Sequence, residues 1–281
     1  MNLEPVDNMA EDHAVLKHAE SPTDGFPRHA YGRRTGLVLL NGLAEQPETW
    51  FRNQAYWQRY FDVHMPRLLA YDGDVLQERI DAGRPVNVPY LVERLRYYLD
   101  QFVQSPPYHL VASSLGGKIA IEYAATYPNN VRRMVLLCPS GLGEHERLPL
   151  VDGTRWSQPR SLIDKVFWNP ECVDPALVHY YEQQWGKRRW RRGLLATIQG
   201  TKDHDVRRRL PEVPHPTLII GGPEDQIVDP ACTEAATRLL PRGRFLMLLR
   251  CGHAPQVERP RLINRLVVRF LSKAAARSNQ R

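Results

Sequence analysis

The sequence predicts an α/β protein: a mostly parallel, doubly wound sheet with a helical cap inserted late in the chain. Three observations predict it. Apolar runs of strand length alternate with segments of helical periodicity, the pattern of a parallel sheet covered on both faces. The alternation breaks between about residues 143 and 210, where the chain turns basic and rich in tryptophan. A serine among small residues lies at a strand-to-helix junction, Ala112-Ser113-Ser114-Leu115-Gly116.

The elements follow in order. Residues 1–30 are polar and weakly patterned, a lead-in with room for an edge strand near its end. Gly36-Leu-Val-Leu-Leu-Asn41 is a short apolar run closed by Asn-Gly, which predicts a buried strand and a turn. Phe61–Met65, ahead of Pro66, is a weaker strand. Residues 89–104 place Leu91, Leu95, Tyr98, Leu99 and Phe102 on one helical face, and Ser105-Pro-Pro107 stops that helix. Tyr108–Ser113 is the next strand, Lys118–Tyr127 a helix ended by Pro128-Asn-Asn130, and Val131–Cys138 a further strand. Within the insertion, helices are expected at Pro175–Gln184 and Arg189–Gln199. Pro216–Ile220 returns to the strand pattern, Thr233–Leu240 reads as a helix, Phe245–Leu249 as the last strand and Leu262–Leu271 as a closing helix. The expected organisation is a lead-in (1–30), a first core part (31–142), the cap (143–210), a second core part (211–273) and a basic tail (274–281).

Composition narrows the class. The chain has 281 residues, 42% hydrophobic and 25% charged, which is ordinary for a globular protein. No apolar run reaches the roughly 20 residues that span a bilayer, and the N-terminus carries acidic residues instead of a secretory apolar stretch. The cytoplasm is therefore the expected location. The net charge of +7 suits anionic substrates, membrane surfaces or nucleic acid without choosing among them. No nucleic-acid motif accompanies it, so no nucleic-acid partner is expected. The run Lys187-Arg-Arg-Trp-Arg-Arg192 reads first as a solvated helix face, and second as an attractor of anionic substrate or lipid headgroups. Trp185 and Trp190 either pack the cap onto the core or line an apolar pocket. Cys138, Cys172, Cys232 and Cys251 are too widely spaced for a paired zinc motif and too few for a disulfide scaffold. Buried free thiols are expected, with no metal and no cofactor.

The chemistry gathers where strands end, which is where ligands sit in open α/β sheets. Small-x-Ser-x-small around Ser114 is what a nucleophile elbow requires. The serine occupies a strained turn, and bulk two residues away would collide with the neighbouring strand and helix. A helix follows the serine, and the free N–H groups at its N-terminus let the Leu115 N–H point at a developing oxyanion. A serine needs a base. Asp225 follows the strand at 216–220 and His253 follows the last strand, giving the chain order Ser, Asp, His. His253 would take and return the proton, and Asp225 would fix its tautomer. Ser113 is the rival nucleophile, and Glu224 and Asp229 are the rival acids. Glu258 is expected to support the histidine loop or cap the closing helix.

Four segments together, Asn41-Gly-Leu-Ala44, the Ser114 elbow, Gly222-Pro-Glu-Asp225 and Gly252-His-Ala-Pro-Gln-Val-Glu-Arg-Pro260, resemble the α/β-hydrolase superfamily from about residue 30 onward. The resemblance implies the α/β-hydrolase fold, a cap between the sixth and seventh strands and a cofactor-free site. It also implies that the backbone N–H of Leu43 completes the oxyanion hole with that of Leu115. Asn41 stands where the family usually carries His. A weaker resemblance, through Cys138-Pro-Ser-Gly-Leu-Gly143 and Cys251-Gly-His-Ala-Pro-Gln256, is to the meta-cleavage product hydrolases, which cut a carbon–carbon bond in vinylogous keto acids. Ser113 replaces their usual Asn, Ala254 their usual Trp, and their glycine-rich oxyanion loop is absent. The expected function is hydrolysis of a small-molecule ester, thioester or lactone through an acyl-enzyme. The alternatives are carbon–carbon hydrolysis or acyl transfer with the same residues, and a non-catalytic ligand-binding protein on this fold. A serine nucleophile argues against dehalogenase or epoxide hydrolase chemistry, which in this fold uses Asp.

Overall fold

Six of the apolar runs become neighbours in one sheet. The computed structural model describes residues 34–45, 47–103, 106–143 and 159–272. Its strands are β1 (Gly36–Leu40), β2 (Asp62–His64), β3 (Tyr108–Ser113), β4 (Val131–Leu137), β5 (Thr217–Gly221) and β6 (Gly243–Met247). They lie in the order β2-β1-β3-β4-β5-β6, and every pair is parallel. Every residue of β1, β3 and β5 is buried, so these strands read as continuous apolar runs instead of alternating ones. The period of two still sorts their side chains between the faces. Val38, Leu40, Leu110, Ala112 and Leu136 join one core, and Leu37, Leu39, Val111, Val135 and Leu137 the other.

The helices outside the insertion are α1 (Gln54–Trp57), α2 (Asp74–Asp81), α3 (Val88–Phe102), α4 (Leu115–Thr126), α8 (Pro230–Thr237), α9 (Pro255–Glu258) and α10 (Pro260–Leu271). Between β4 and β5 lie α5 (Pro159–Val166), α6 (Pro175–Gly186) and α7 (Arg188–Thr201). In α3 the Asn87 side chain accepts from the Tyr90 N–H, and Leu91, Leu95 and Leu99 are buried against the first core. On the opposite face, α10 buries Ile263, Val267 and Phe270 with Trp50 and Trp57.

Several boundaries differ from expectation. The helix expected at 233–240 begins at Pro230, because Asp229 accepts from the N–H groups of Ala231 and Cys232. The last strand runs from Gly243 to Met247 instead of 245–249. Pairing Thr217 with Gly243 sets its register, and Leu249 is left exposed. The helices α2 and α5 had no counterpart in the sequence reading. The insertion falls between the fourth and fifth of the six described strands. The expected lead-in (1–30), the whole basic tail (274–281) and the start of the expected cap (144–158) lie outside the described residues.

The basic run at the start of α7 is a solvated face, as expected, and three of its cations have acidic partners. Lys187 pairs with Asp72, Arg189 with Asp74 and Arg192 with Asp81, while Gln77 links to the Arg189 carbonyl. Beneath the charges, Trp185, Trp190, Leu194 and Ile198 pack on Tyr71 and Leu76. At the other end of α7, the Lys118 ammonium is only 1% exposed. It donates to the Thr201 carbonyl at 2.9 Å, at the negative end of the helix dipole. Cys138 and Cys251 are buried free thiols, while Cys232 is half-exposed. No helix among the described residues is long and apolar enough to cross a membrane.

Candidate active site

The sheet brings the ends of β1, β3, β5 and β6 to one edge. Ser114 follows β3 directly, with φ 47° and ψ −116°, a conformation that L-residues avoid. Its N–H donates to the Leu137 carbonyl, and its own carbonyl accepts from Gly117 and Ser140. A Cβ on Gly116 would lie 2.5 Å from the Leu40 carbonyl oxygen. The small residue at that position is thus what lets α4 start against β1.

The Ser114 Oγ lies 2.9 Å from His253 Nε2. His253 Nδ1 lies 2.8 Å from Asp225 Oδ2. The other oxygen of Asp225 accepts from the N–H groups of Ile227 and Val228. Burial alone would push the Asp225 carboxyl up, but His253 and these two amides together outweigh it and hold the group below its ordinary range. An ionised Asp225 only accepts, so His253 carries its proton on Nδ1 and offers Nε2 to the serine.

The rival residues have other partners. The Ser113 hydroxyl donates to Glu45, Glu224 accepts from the amides of Arg250 and Cys251, and Asp229 caps α8. Glu258 accepts from the N–H groups of Gly252, Trp168 and Asn169. It thereby ties the histidine loop to the segment after α5.

Leu43 lies in the turn after β1, and Leu115 is the first residue of α4. Neither N–H has an acceptor among the described residues. Asn41 donates to the Thr49 hydroxyl and anchors the start of that turn.

Three residues escaped the sequence reading. Glu45 accepts from the Gly42 N–H at 2.8 Å and from Ser113 at 3.0 Å. Burial raises its pKa above the ordinary carboxyl range, against the lowering effect of its donors and of His253. Gln256, fully buried, donates to Ser113 and Glu45. Tyr71 accepts from the Ala44 N–H at 3.0 Å. The one available signal was an acid four residues beyond Asn41 in a loop already assigned to the site.

Cys138 adds a thiol whose potential ligand atom lies with those of Asp225 and His253 within 4.8 Å. Burial first, then the Asp225 charge, pushes that thiol well above its ordinary range. Two of the three groups are already hydrogen-bonded to each other, His253 Nδ1 to Asp225 Oδ2.

Ser114 and His253 open into a partly enclosed cavity beneath the insertion. Its walls are mainly apolar, including Ile163, Val166, Phe167, Leu177, Trp185 and Val257, with Glu45, Thr49, Tyr181 and Gln256 as polar members. Among the described residues, no Lys or Arg lines it. Trp185 thus both packs on the core and faces the cavity, while Trp190 packs on Tyr71.

Residues 37–266 match the family described as "Alpha/beta hydrolase family". The monoacylglycerol lipase abhd6-B of Xenopus laevis is 28% identical over 270 residues, covering 89% of this chain and 79% of its own. The human monoacylglycerol lipase ABHD6 is 22% identical with the same coverage. A meta-cleavage product hydrolase from Pseudomonas fluorescens superposes with a TM-score of 0.70 at 21% identity, covering 88% of this chain and 94% of that one.

Proposed function

The chain belongs to the alpha/beta hydrolase family, and from that premise we propose that it hydrolyses a neutral carboxylic ester, thioester or lactone bearing an apolar acyl group. The observation that carries this reading is the unbroken hydrogen-bond line from Ser114 through His253 to Asp225. The names of the lipase relatives support ester chemistry. Fold alone would not, since this architecture hosts many reactions.

The reaction follows from the line. His253 Nε2 takes the serine proton as Oγ attacks the carbonyl carbon, and Asp225 stabilises the resulting imidazolium. The Leu43 and Leu115 N–H groups receive the oxyanion. Collapse expels the alcohol, which leaves with the proton from His253. Water then attacks the acyl-enzyme by the same relay, releasing the acid and restoring Ser114.

The second reading, carbon–carbon cleavage of a meta-cleavage product, has a fold-level neighbour in its favour. Those substrates carry a carboxylate. The cavity offers them no cation among the described residues and places Glu45 in the wall, which favours neutral substrates.

Treatment with a fluorophosphonate probe, followed by mapping of the adduct, tests the proposal. Labelling is expected at Ser114 in wild type and absent in Ser114→Ala, whose ester turnover should fall by about 10⁶-fold. Ester, thioester and lactone panels should turn over, and an anionic dienoate should not. Adducts at Ser113, or none on folded protein, would overturn it.

A further inference from the structure

The turn at residues 42–45 has four backbone amides, and three are consumed within the protein. Gly42 donates to the Glu45 side chain, Ala44 to the Tyr71 hydroxyl, and Glu45 back to the Gly42 carbonyl at 3.3 Å. Ala44 adopts φ +63° to close the turn. The fourth amide, Leu43, is left without an acceptor among the described residues.

The Glu45 carboxylate does more than close its own turn. It also accepts from Ser113, next to the nucleophile, and from Gln256, three residues beyond the base. An ionised carboxylate has lone pairs for all three donors, whereas a protonated one becomes a donor itself and gives up part of that capacity.

We infer that Glu45 is a positioning residue for the oxyanion donor. Its carboxylate joins the Gly42 turn, the nucleophile strand and the histidine loop at one junction, so that Leu43 is the amide presented to the reacting carbonyl. This rests on the proposed reading of Leu43. The titratable groups near the carboxylate are His253 and Tyr71, and Arg67 lines a small cavity on its far side. Burial moves protonation of Glu45 toward the working pH range. The junction therefore loosens on the acid side.

The test is the second-order rate of fluorophosphonate labelling at Ser114 from about pH 5 to about pH 9, since the phosphonyl oxygen occupies the oxyanion position. Wild type, Glu45→Gln and Glu45→Ala are compared, with p-nitrophenyl butyrate turnover alongside. Glu45→Ala is expected to label about tenfold or more slowly near neutral pH, and to lose kcat while KM holds. Glu45→Gln keeps an acceptor for Gly42. It should label within about threefold of wild type, with its acid limb moved to lower pH. An unchanged rate in Glu45→Ala, or superimposable acid limbs for wild type and Glu45→Gln, would overturn the inference. If Glu45→Ala does not fold, the Glu45→Gln profile decides alone. Absence of labelling in wild type would overturn the hydrolase reading and this inference with it. Normal wild-type labelling with insensitive Glu45 variants overturns this inference only.

Discussion

At the residue scale, Ser114 holds a backbone conformation that costs about 1–3 kcal/mol in a residue with a side chain. Ser114→Gly should therefore unfold at a higher temperature than Ser114→Ala, with both inactive, as calorimetry can show. Glu45 and Asp225 depend on pH in opposite senses. The folded state depresses the Asp225 pKa. Its contribution is full above the ordinary carboxyl range and is lost as pH falls through the depressed value. The folded state raises the Glu45 pKa, so ionising it costs stability as pH rises from the ordinary range through the raised value. Glu45→Gln should accordingly melt above wild type at about pH 8, by roughly 2–4 °C per kcal/mol relieved, and the gap should close toward about pH 4. Ser114, Asp225 and His253 were legible because each chemistry-bearing type follows a strand, in the order the fold demands. Glu45 was not. Its partners lie 68 residues away at Ser113 and 211 away at Gln256, and no local pattern joins them.

At the element scale, the clasp between α2 and α7 shows what charge in a sequence leaves open. The run Lys187–Arg192 was visible, but its acidic partners Asp74 and Asp81 sit in a helix with too few apolar positions to announce itself, and Asp72 in the turn before it. Exposed ion pairs contribute about 0–1 kcal/mol each. The triple variant Asp72→Asn, Asp74→Asn, Asp81→Asn should thus shift the melting temperature by only a few degrees. Close packing below the clasp matters more. A Cβ on Gly193 would lie 2.2 Å from the Tyr71 carbonyl oxygen. Gly193→Ala should push α7 outward, lower the melting temperature more than the triple variant does, and slow Ser114 labelling, because Tyr71 also holds the Ala44 amide. The misplaced last strand has a similar lesson. The apolar run at 245–249 suggested its extent, while pairing with β5 decided its register.

Across the whole molecule, the sheet was readable because strands buried on both faces leave unbroken apolar runs. Their spatial order was not, since lateral neighbours are chosen by pairing and crossover instead of composition. The sheet separates two cores, one containing Leu95 and the other Val267. Leu95→Ala should cost about 2–5 kcal/mol, and its effect should add to that of Val267→Ala within about 0.5 kcal/mol in denaturant titrations. Lys118, sealed beneath the end of α7, gives the molecule a built-in chemical reporter. An amine-reactive reagent in solution can reach the Lys118 nitrogen only when that helix end lifts from the core. The rate at which this one lysine acquires a tag, compared with solvent-facing Lys187 just before that helix, would serve as a clock for how often the end of α7 opens.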